Sequence, residues 1–166
     1  MMLFDTQKKE SNYSAWYRRS INWWPCIWCT GGKVTFVSGD FQELHVRLSL
    51  GIRTRNRVGT VYGGSIYSSV DPFFMLMFMQ ILGKDYVVWD KGATVKFIKP
   101  ITGRVKCRFL ITDELIETVR SQVAANGQYV FELPLQYEDD DGKVYATFTK
   151  VMYTASKEYY KSKKGL

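Results

Sequence analysis

The sequence predicts a single α+β domain in which a curved antiparallel sheet of about six strands wraps around one long central helix. The run FFMLMFMQIL, residues 73–82, is apolar on every side of a helix, and such a helix has to be buried. About six other segments have the apolar patterns of strands. A sheet that curls around the helix buries both kinds of surface at once.

The first 30 residues are predicted to form an N-terminal helical segment that packs on the rest of the domain. Residues 33–50 are predicted to form two strands joined at Ser38–Asp40. His45, the only histidine, alternates onto the face of the second strand opposite the leucines, where we expect it to be exposed or at the sheet edge. The segment's helical spacing comes from Trp16, Tyr17, Ser20, Ile21, Trp23 and Trp24, and Gly31 and Gly32 end it.

Glycine, proline and capping signals place the remaining elements. The central helix is bent or restarts at Pro72, because proline interrupts the hydrogen bonding of a helix. The strand after it is bulged near Gly92. In chain order the predictions are a basic loop over residues 51–60, a helix over Val61–Leu82 ended by Gly83, strands over 86–100 and 103–112, a capped helix over 112–127, a hairpin over 129–155 that turns at 139–142, and a basic tail over 157–166.

Length, charge and apolar runs limit the classes of function. The 166 residues suit one domain spanning residues 1–166. The net charge of +7 favours anionic partners such as nucleic acid, acidic lipid headgroups or a phosphate-bearing small molecule. Lysine and arginine are scattered without a nucleic-acid-binding motif, so no nucleic acid is expected. The longest apolar run, Pro72–Leu82, falls well short of the ~20 residues that span a membrane.

The three cysteines form no even disulfide framework, and the first residues lack a secretory signal, so a cytoplasmic location is expected. Cys26 and Cys29 form an isolated C-x-x-C. Zinc needs about four ligands, and only Cys107 and His45 could add to them, so no metal site is predicted. The cysteines are expected to be buried as small hydrophobic residues. No G-x-S-x-G elbow and no phosphate or dinucleotide fingerprint occurs.

Asp71 stands directly before Pro72 at the start of the apolar run, and two roles are open for it. Asp-Pro is a common helix start, in which the carboxylate caps the backbone. Alternatively, Asp71 is a working group, because Gly63-Gly64-Ser65 offers an earlier helix start whose amides favour negative charge. Gly63 and Asp71 are separated by a helical rise of some ~12 Å. A twofold dimer would be needed to bring Asp71 of one copy to Gly63 of the other.

Asn56, Tyr62-Gly63-Gly64 and Asp71 stand at the intervals of an asparagine, a His-Gly-Gly motif and a helical carboxylate. In these residues the sequence resembles the hotdog-fold acyl-CoA thioesterases, in particular the phenylacetate-pathway (PaaI-like) branch and an uncharacterised relative. The match to that relative covers most of the chain. It comprises Trp24-Pro25, Arg55-Asn56, Gly59–Gly64, Asp71-Pro72, Gly83–Tyr86 and Val88–Lys91.

The resemblance implies a hotdog fold and hydrolysis of an acyl-CoA thioester by a homodimer or homotetramer, with coenzyme A as part of the substrate and no other cofactor. Asp71 would activate water or attack directly, the Gly63 amide with Gly64 would hold the oxyanion, and Asn56 would orient the water or the carbonyl. Tyr62 replaces the histidine of the branch and does not titrate near neutrality. This replacement keeps open a second function, non-catalytic binding of an acyl-CoA or acyl carrier.

Two further polar groups have two interpretations each. Arg53, Arg55 and Arg57 alternate along a loop predicted to be extended, and they either bind the phosphates of coenzyme A or form a solvated basic loop. Asp90 and Lys91 interrupt an apolar strand. They either pair with each other at a bulge or bind substrate, because the corresponding segment of the resembled family lies near the acyl pocket.

Overall fold

The structure is a computed structural model that describes residues 4–165, with the side chain of Lys164 excepted. The outermost parts of the predicted N-terminal segment and basic tail, residues 1–3 and 166, lie outside the described residues. In chain order the elements are α1 (Asn12–Ile21), α2 (Pro25–Trp28), β1 (Lys33–Val37), β2 (Glu43–Ser49), α3 (Gly63–Ser68), α4 (Phe73–Leu82), β3 (Tyr86–Phe97), β4 (Arg104–Leu110), α5 (Asp113–Asn126), β5 (Gln128–Glu138), β6 (Val144–Ser156) and α6 (Lys157–Lys164).

The strands form one antiparallel sheet in the order β1-β2-β4-β5-β6-β3. The two longest strands, β3 and β6, pair along almost their whole length. β3 has no second neighbour among the described residues, so it forms one edge of the sheet, and β1 forms the other. The predicted α+β architecture of six strands around a central helix is confirmed.

α4 lies inside the curve of the sheet and fills the core. Phe73 and Phe74 pack edge to face against Phe109 of β4, with ring centroids 5.5 and 4.9 Å apart. Met79 and Gln80, near the C-terminal end of the helix, are exposed. The burial on all sides that the sequence predicts is therefore not reached within one chain.

The predicted restart of the central helix is confirmed, since α3 ends at Ser68 and α4 begins at Phe73. By length and composition alone, the segment Gly63–Leu82 is apolar enough to cross a membrane. Its largest apolar side chains, however, belong to the buried core. The segment is the core helix of this domain.

Local signals place several element ends correctly. Thr112 caps α5 through its side chain, and Gly127 ends that helix with a φ of 74°. The register of β3 against β6 shifts between Asp90 and Gly92, which is the predicted bulge. The tail differs from a plain solvated segment, because residues 157–164 form α6.

Two further predictions about burial are wrong. Cys26 and Cys29 are exposed, because α2 runs over the outside of the domain, and only Cys107 is buried. His45 is fully buried. Its ring packs against Phe4 and Phe36, so the non-core face of β2 is covered by other parts of the chain.

Candidate functional site

The predicted oxyanion amides lie at the start of α3, which begins at Gly63 with Tyr62 as its N-cap residue. The amides of Gly63 and Gly64 make no hydrogen bond within the described part of the chain, as is usual in the first turn of a helix. Two backbone donors are therefore left for a carbonyl oxygen.

A cavity of about 360 Å³ opens beside Gly63, and Ile66, Phe97 and Ile98 are among the apolar residues that line it. A Cβ atom on Gly63 would lie 3.2 Å from the tip of the Phe97 ring. Because Gly63 has no side chain, its free amide lies close to Phe97 in the lining of the cavity. This arrangement can accept an acyl chain next to hydrogen-bond donors.

Tyr62, which replaces the histidine of the resembled branch, lies over the second glycine. A Cβ atom on Gly64 would come within 2.2 Å of the Tyr62 ring, so glycine is required for the ring to adopt this position. The ring itself is largely exposed.

The side chain of Asn56 holds the turn that precedes α3. Its Oδ1 accepts hydrogen bonds from the amides of Val58 and Thr60, at 3.1 and 3.0 Å. Its Nδ2 donates to Oγ1 of Thr60 at 2.9 Å. Because Thr60 lines the cavity beside Gly63, Asn56 shapes the site through the loop, and its direct role towards water or substrate stays a prediction.

Asp71 is not a helix cap. The N-cap residue of α4 is Pro72, and no side chain caps that helix. Instead, Oδ1 of Asp71 accepts a hydrogen bond of 2.7 Å from Nζ of Lys150 on β6. The Lys150 side chain is fully buried, whereas that of Asp71 is 41% exposed. Asp71 thus has one carboxylate oxygen anchored and its side chain partly open to solvent.

Asp90 of β3 completes this group, which we call the Lys150 cluster: Asp71, Asp90 and Lys150. Nζ of Lys150 lies 3.2 Å from Oδ1 of Asp90, although that oxygen receives no well-directed hydrogen bond. The contact is therefore mainly ionic. The predicted pair of Asp90 with Lys91 is wrong, because Lys91 occupies the bulge and is exposed while Asp90 is directed to β6.

Burial and charge act against each other in the Lys150 cluster. Burial by itself lowers the pKa of Lys150, but the hydrogen bond with Asp71 and the charges of Asp90 and Asp71 outweigh it and raise that pKa above its ordinary value. Burial raises the pKa of Asp90, and the Lys150 charge only partly opposes this. Burial and the contact with Asp71 also raise the pKa of Tyr67, whose ring lies 5.3 Å from Nζ of Lys150. Lys150 is therefore a cation at neutral pH that anchors Asp71.

The sequence pattern of β6 already marks Lys150 as unusual, although Lys150 belongs to none of the motifs described above. In β6, every second residue is buried, and Lys150 occupies one of these positions between Phe148 and Met152. A lysine in the apolar register of a strand requires a buried counter-charge, which points to a partner elsewhere in the chain.

The three arginines of the 51–60 loop do not follow an extended segment. Residues 51–54 form a turn, and Arg55 forms an isolated bridge with Val61. Nη1 of Arg53 donates to the carbonyl oxygen of Trp28 at 2.6 Å, and its guanidinium lies 4.5 Å from the centre of the Trp28 ring. Arg53 lines a second cavity of the domain, to which Arg55 and Arg57 do not contribute.

One protein family matches most of the chain. Residues 17–154 match the profile of a family described as "Domain of unknown function (DUF4442)". The chain belongs to the DUF4442 family. No curated protein matches the sequence of this DUF4442 member.

Solved structures share its fold. PA5026 from Pseudomonas aeruginosa, described as a probable thioesterase, has a TM-score of 0.74 at 16% identity, over 86% of this chain and 95% of that one. OLEI01261 from Chlorobaculum tepidum, of unknown function, has a TM-score of 0.70 at 15% identity, over 87% and 94%. Thioesterase HI1161 from Haemophilus influenzae has a TM-score of 0.61 at 11% identity, over 93% and 96%. At these identities the likeness establishes the fold, and this DUF4442 protein has the predicted hotdog fold.

Proposed function

We propose that this DUF4442 protein hydrolyses an acyl-CoA thioester to a free acid and coenzyme A, as a homodimer or homotetramer. The observation that carries the proposal is Asp71, a partly exposed carboxylate anchored on one oxygen by a fully buried lysine. The description of structural neighbours as thioesterases supports the same reaction class.

The proposal needs two copies of the chain. Gly63 and Asp71 are separated by α3 and a turn. On a continuous helix this separation is a rise of about 12 Å, which is too far for both residues to act on one carbonyl. β3 offers a long unpaired edge within the described chain, and such edges are templates for pairing with another strand. The exposed Met79 on α4 adds apolar surface for an interface. A twofold dimer would bring Asp71 of each copy towards Gly63 of the other.

In this arrangement the reaction proceeds by acid–base chemistry at the thioester carbonyl. Asp71 accepts a proton from a water molecule while the water oxygen forms a bond to the carbonyl carbon. The amide of Gly63 donates to the oxyanion, an interaction often worth about 3 kcal/mol. Collapse of the tetrahedral species breaks the carbon–sulfur bond, and the thiolate of coenzyme A recovers the proton. Lys150 holds Asp71 in position throughout.

The deciding experiment measures thiol release from short, medium, long and aromatic acyl-CoAs. We expect the wild type to hydrolyse at least one class and Asp71→Asn to lower kcat by about 10²–10⁴. Asn keeps an oxygen acceptor for Lys150, so the fold should survive. Asp85→Asn is the matched control, because Asp85 is exposed on the turn that follows the other end of α4 and makes no ion pair in the described chain. Full activity in Asp71→Asn would exclude the proposed base.

Single turnovers in ¹⁸O-labelled water separate the two possible roles of Asp71. A general base places the label in the product acid at once. A nucleophile forms an acyl-aspartyl intermediate, and when water attacks its aspartyl carbon the first product carries an unlabelled oxygen from Asp71 and the label appears in the enzyme. Attack at the acyl carbon would instead place the label in the product. Mass spectrometry of the product and of the peptide containing Asp71 therefore identifies a nucleophile by label in that peptide.

A second candidate function is non-catalytic binding of an acyl-CoA or acyl carrier. Two observations favour it: Tyr62 lies over Gly64 where the PaaI-like branch has a histidine, and Asp71 is already engaged by Lys150. Tight binding across the same acyl-CoA panel without thiol release would support this function and contradict hydrolysis.

Arginine binding of the coenzyme A phosphates belongs to the same proposal. Neutralising Arg53, Arg55 and Arg57 together should raise KM for acyl-CoA, because guanidinium groups pair with phosphate. It should leave KM unchanged for a short thioester that lacks coenzyme A. Equal effects on both substrates would count against phosphate binding.

A further inference from the structure

A cavity of about 620 Å³ lies apart from the Lys150 cluster, between α1, the strands β1 and β2, and the 50–54 loop. No acidic residue is among the described residues that line it. Only one of its cations has a carboxylate partner in the described chain, because Arg18 pairs with Glu10 at 2.7 Å and no other ion pair involves the rest. The cationic lining residues are Arg18, Arg19, Lys33, Arg47 and Arg53.

Large apolar side chains stand beside these cations. Ile52 is 98% exposed, Trp23 is 79% exposed and Trp28 is 50% exposed, and all three belong to the same cavity lining. We call the combined region the tryptophan–arginine surface: Arg19, Trp23, Trp28, Lys33, Ile52 and Arg53. Exposed apolar side chains grouped in this way, in a frame of polar residues, indicate an interaction site.

The exposure of Trp23 and Ile52 decides what kind of partner fits. A small phosphate ligand inside the cavity would neutralise the cations but would leave these two side chains in water. A bilayer that contains anionic phospholipid satisfies both groups, because headgroup phosphates meet the cations while tryptophan and isoleucine enter the interfacial region. The net charge of +7 attracts the protein to such a surface from a distance.

We infer that the tryptophan–arginine surface binds peripherally to membranes that contain anionic phospholipid. In this inference Arg19, Lys33 and Arg53 contact headgroup phosphates, and Trp23 and Ile52 enter the interface. Binding does not depend on the proposed hydrolysis, since it is measured without a thioester. It also differs from spanning a membrane, because the one apolar helix of sufficient length fills the core.

The tryptophan–arginine surface is connected to the candidate site by a backbone hydrogen bond and a close packing contact. Thr54, in the cavity lining, accepts a hydrogen bond of 2.7 Å at its carbonyl oxygen from the amide of Tyr62, directly before α3. A Cβ atom on Gly32, also in the lining, would lie 2.6 Å from Cβ of Ser69 in the turn that precedes Asp71. Bound to a bilayer through this surface, the protein would hold the candidate site close to the lipid.

Flotation with phosphatidylcholine vesicles, with and without phosphatidylglycerol, tests the inference. We expect at least tenfold stronger binding to the anionic vesicles, weakened by added salt. The double variant Trp23→Ser/Ile52→Ser should lose most of the binding. Lys33→Gln and Arg53→Gln should each reduce it about fivefold. Because these side chains are exposed, circular dichroism should show an unchanged fold.

Leu110→Ser and Lys161→Gln are matched controls. Both residues are exposed. β4 begins at Arg104 and ends at Leu110, and Lys161 lies on α6. Neither change should alter binding by more than about twofold, since a distant surface charge is largely screened. Equal losses in these controls would overturn the assignment to the tryptophan–arginine surface.

Three other outcomes would overturn the inference. Equal binding to neutral and anionic vesicles would remove the role of the phosphates. Binding of pyrophosphate or coenzyme A in the cavity, with no flotation, would identify a soluble phosphate as the ligand. Capture of an acidic carrier protein, or a change of oligomeric state in Trp23→Ser/Ile52→Ser, without flotation would identify a protein partner or a second copy.

Discussion

Two charged clusters are buried against the sheet, one around Lys150 and one around Glu43. The Lys150 cluster joins β6 and the edge strand β3 to the turn between α3 and α4. The Glu43 cluster lies near the opposite edge, on β2 and β4, and consists of Thr6, Glu43, His45 and Arg108. Each contains a side chain that water cannot reach and a counter-charge on a neighbouring element.

Both oxygens of the Glu43 carboxylate have partners within the chain. Its Oε1 lies 2.8 Å from Nε2 of His45 and 2.8 Å from Nε of Arg108, and its Oε2 accepts a hydrogen bond of 2.7 Å from Oγ1 of Thr6. The side chain is 1% exposed. Burial acts to raise its pKa, but hydrogen bonds with Thr6, His45 and Arg108 outweigh burial and lower it.

The difference between the clusters favours Asp71 over Glu43 as the carboxylate of the proposed hydrolysis. Asp71 has one oxygen held by Lys150 and a partly exposed side chain, whereas both oxygens of Glu43 are engaged out of reach of solvent. Of the two carboxylates, only Asp71 is open to solvent. Burial of charge by itself therefore does not mark a reactive site, and a positioned carboxylate with access to solvent is the feature to test.

Lys150→Met is expected to have the largest effect on stability. It leaves Asp71 and Asp90 without their counter-charge, and removal of one partner of a buried ion pair costs about 3–5 kcal/mol. Because Asp71 is partly exposed, we expect a loss near the lower end, about 3 kcal/mol, in urea unfolding. The double variant Lys150→Met/Asp90→Asn should recover part of this lost stability. In Lys150→Met, Asp71 should also lose its position, so kcat should fall by a larger factor than KM changes. An unchanged unfolding midpoint would contradict this account of the cluster.

Glu43→Gln should reduce stability less and leave thioester hydrolysis unchanged. It removes the charge that pairs with Arg108, but Arg108 is partly exposed and can be solvated by water, so we expect about 2 kcal/mol. Thiol-release rates of the folded variant should equal those of the wild type. A selective loss of kcat would show that the Glu43 cluster contributes to the reaction, and the contrast between the clusters would fail.

The pH dependence of stability should show the smallest effect and report on the Glu43 cluster. Burial, with the charges of Arg108 and Lys106, lowers the pKa of His45 against the opposing effect of Glu43. Below the ordinary value of about 6.5 the unfolded chain takes up a proton that the folded chain does not. The free energy of unfolding should therefore fall as pH decreases below about 6.5, by up to about 1.4 kcal/mol per pH unit, until the folded pKa is reached.

The variant His45→Gln is the control for this slope, because the chain has no other histidine. The raised pKa of Asp90 contributes in the opposite sense at lower pH, since the folded state then binds the extra proton. The difference between wild type and variant reports His45 together with its effect on the pKa of Glu43. Parallel pH profiles for the two proteins would show that His45 is not held neutral.

Local interactions made much of the fold predictable. The apolar run of α4, the caps of α5 and the bulge before Gly92 depend on residues close together in the chain, so their patterns indicate structure directly. The same holds for the start of α3 at Gly63. The predicted roles of Asp71, Gly63 and Asn56 in hydrolysis stay predictions.

Partners far apart in the chain were not predictable from local patterns. Asp-Pro favours a helix cap locally, yet Asp71 binds Lys150, 79 positions later. His45 alternates away from the leucines and was expected at the surface, yet Phe4 and Phe36 cover it. In both cases another element determines the environment of the side chain.

The sequence by itself determined the α+β architecture, the break at Pro72 and the small residues at the start of α3, because helix burial, proline geometry and glycine size act locally. Only the tertiary structure decided that Lys150 anchors Asp71 and that basic residues of α1, β1, β2 and the 50–54 loop line one cavity together with Trp23 and Trp28. The strand order is the physical reason. It places β6 beside β3, where Lys150 meets Asp90 and Asp71. It also places β1 beside β2, where both strands line the cavity with α1. No local rule specifies which strands become neighbours.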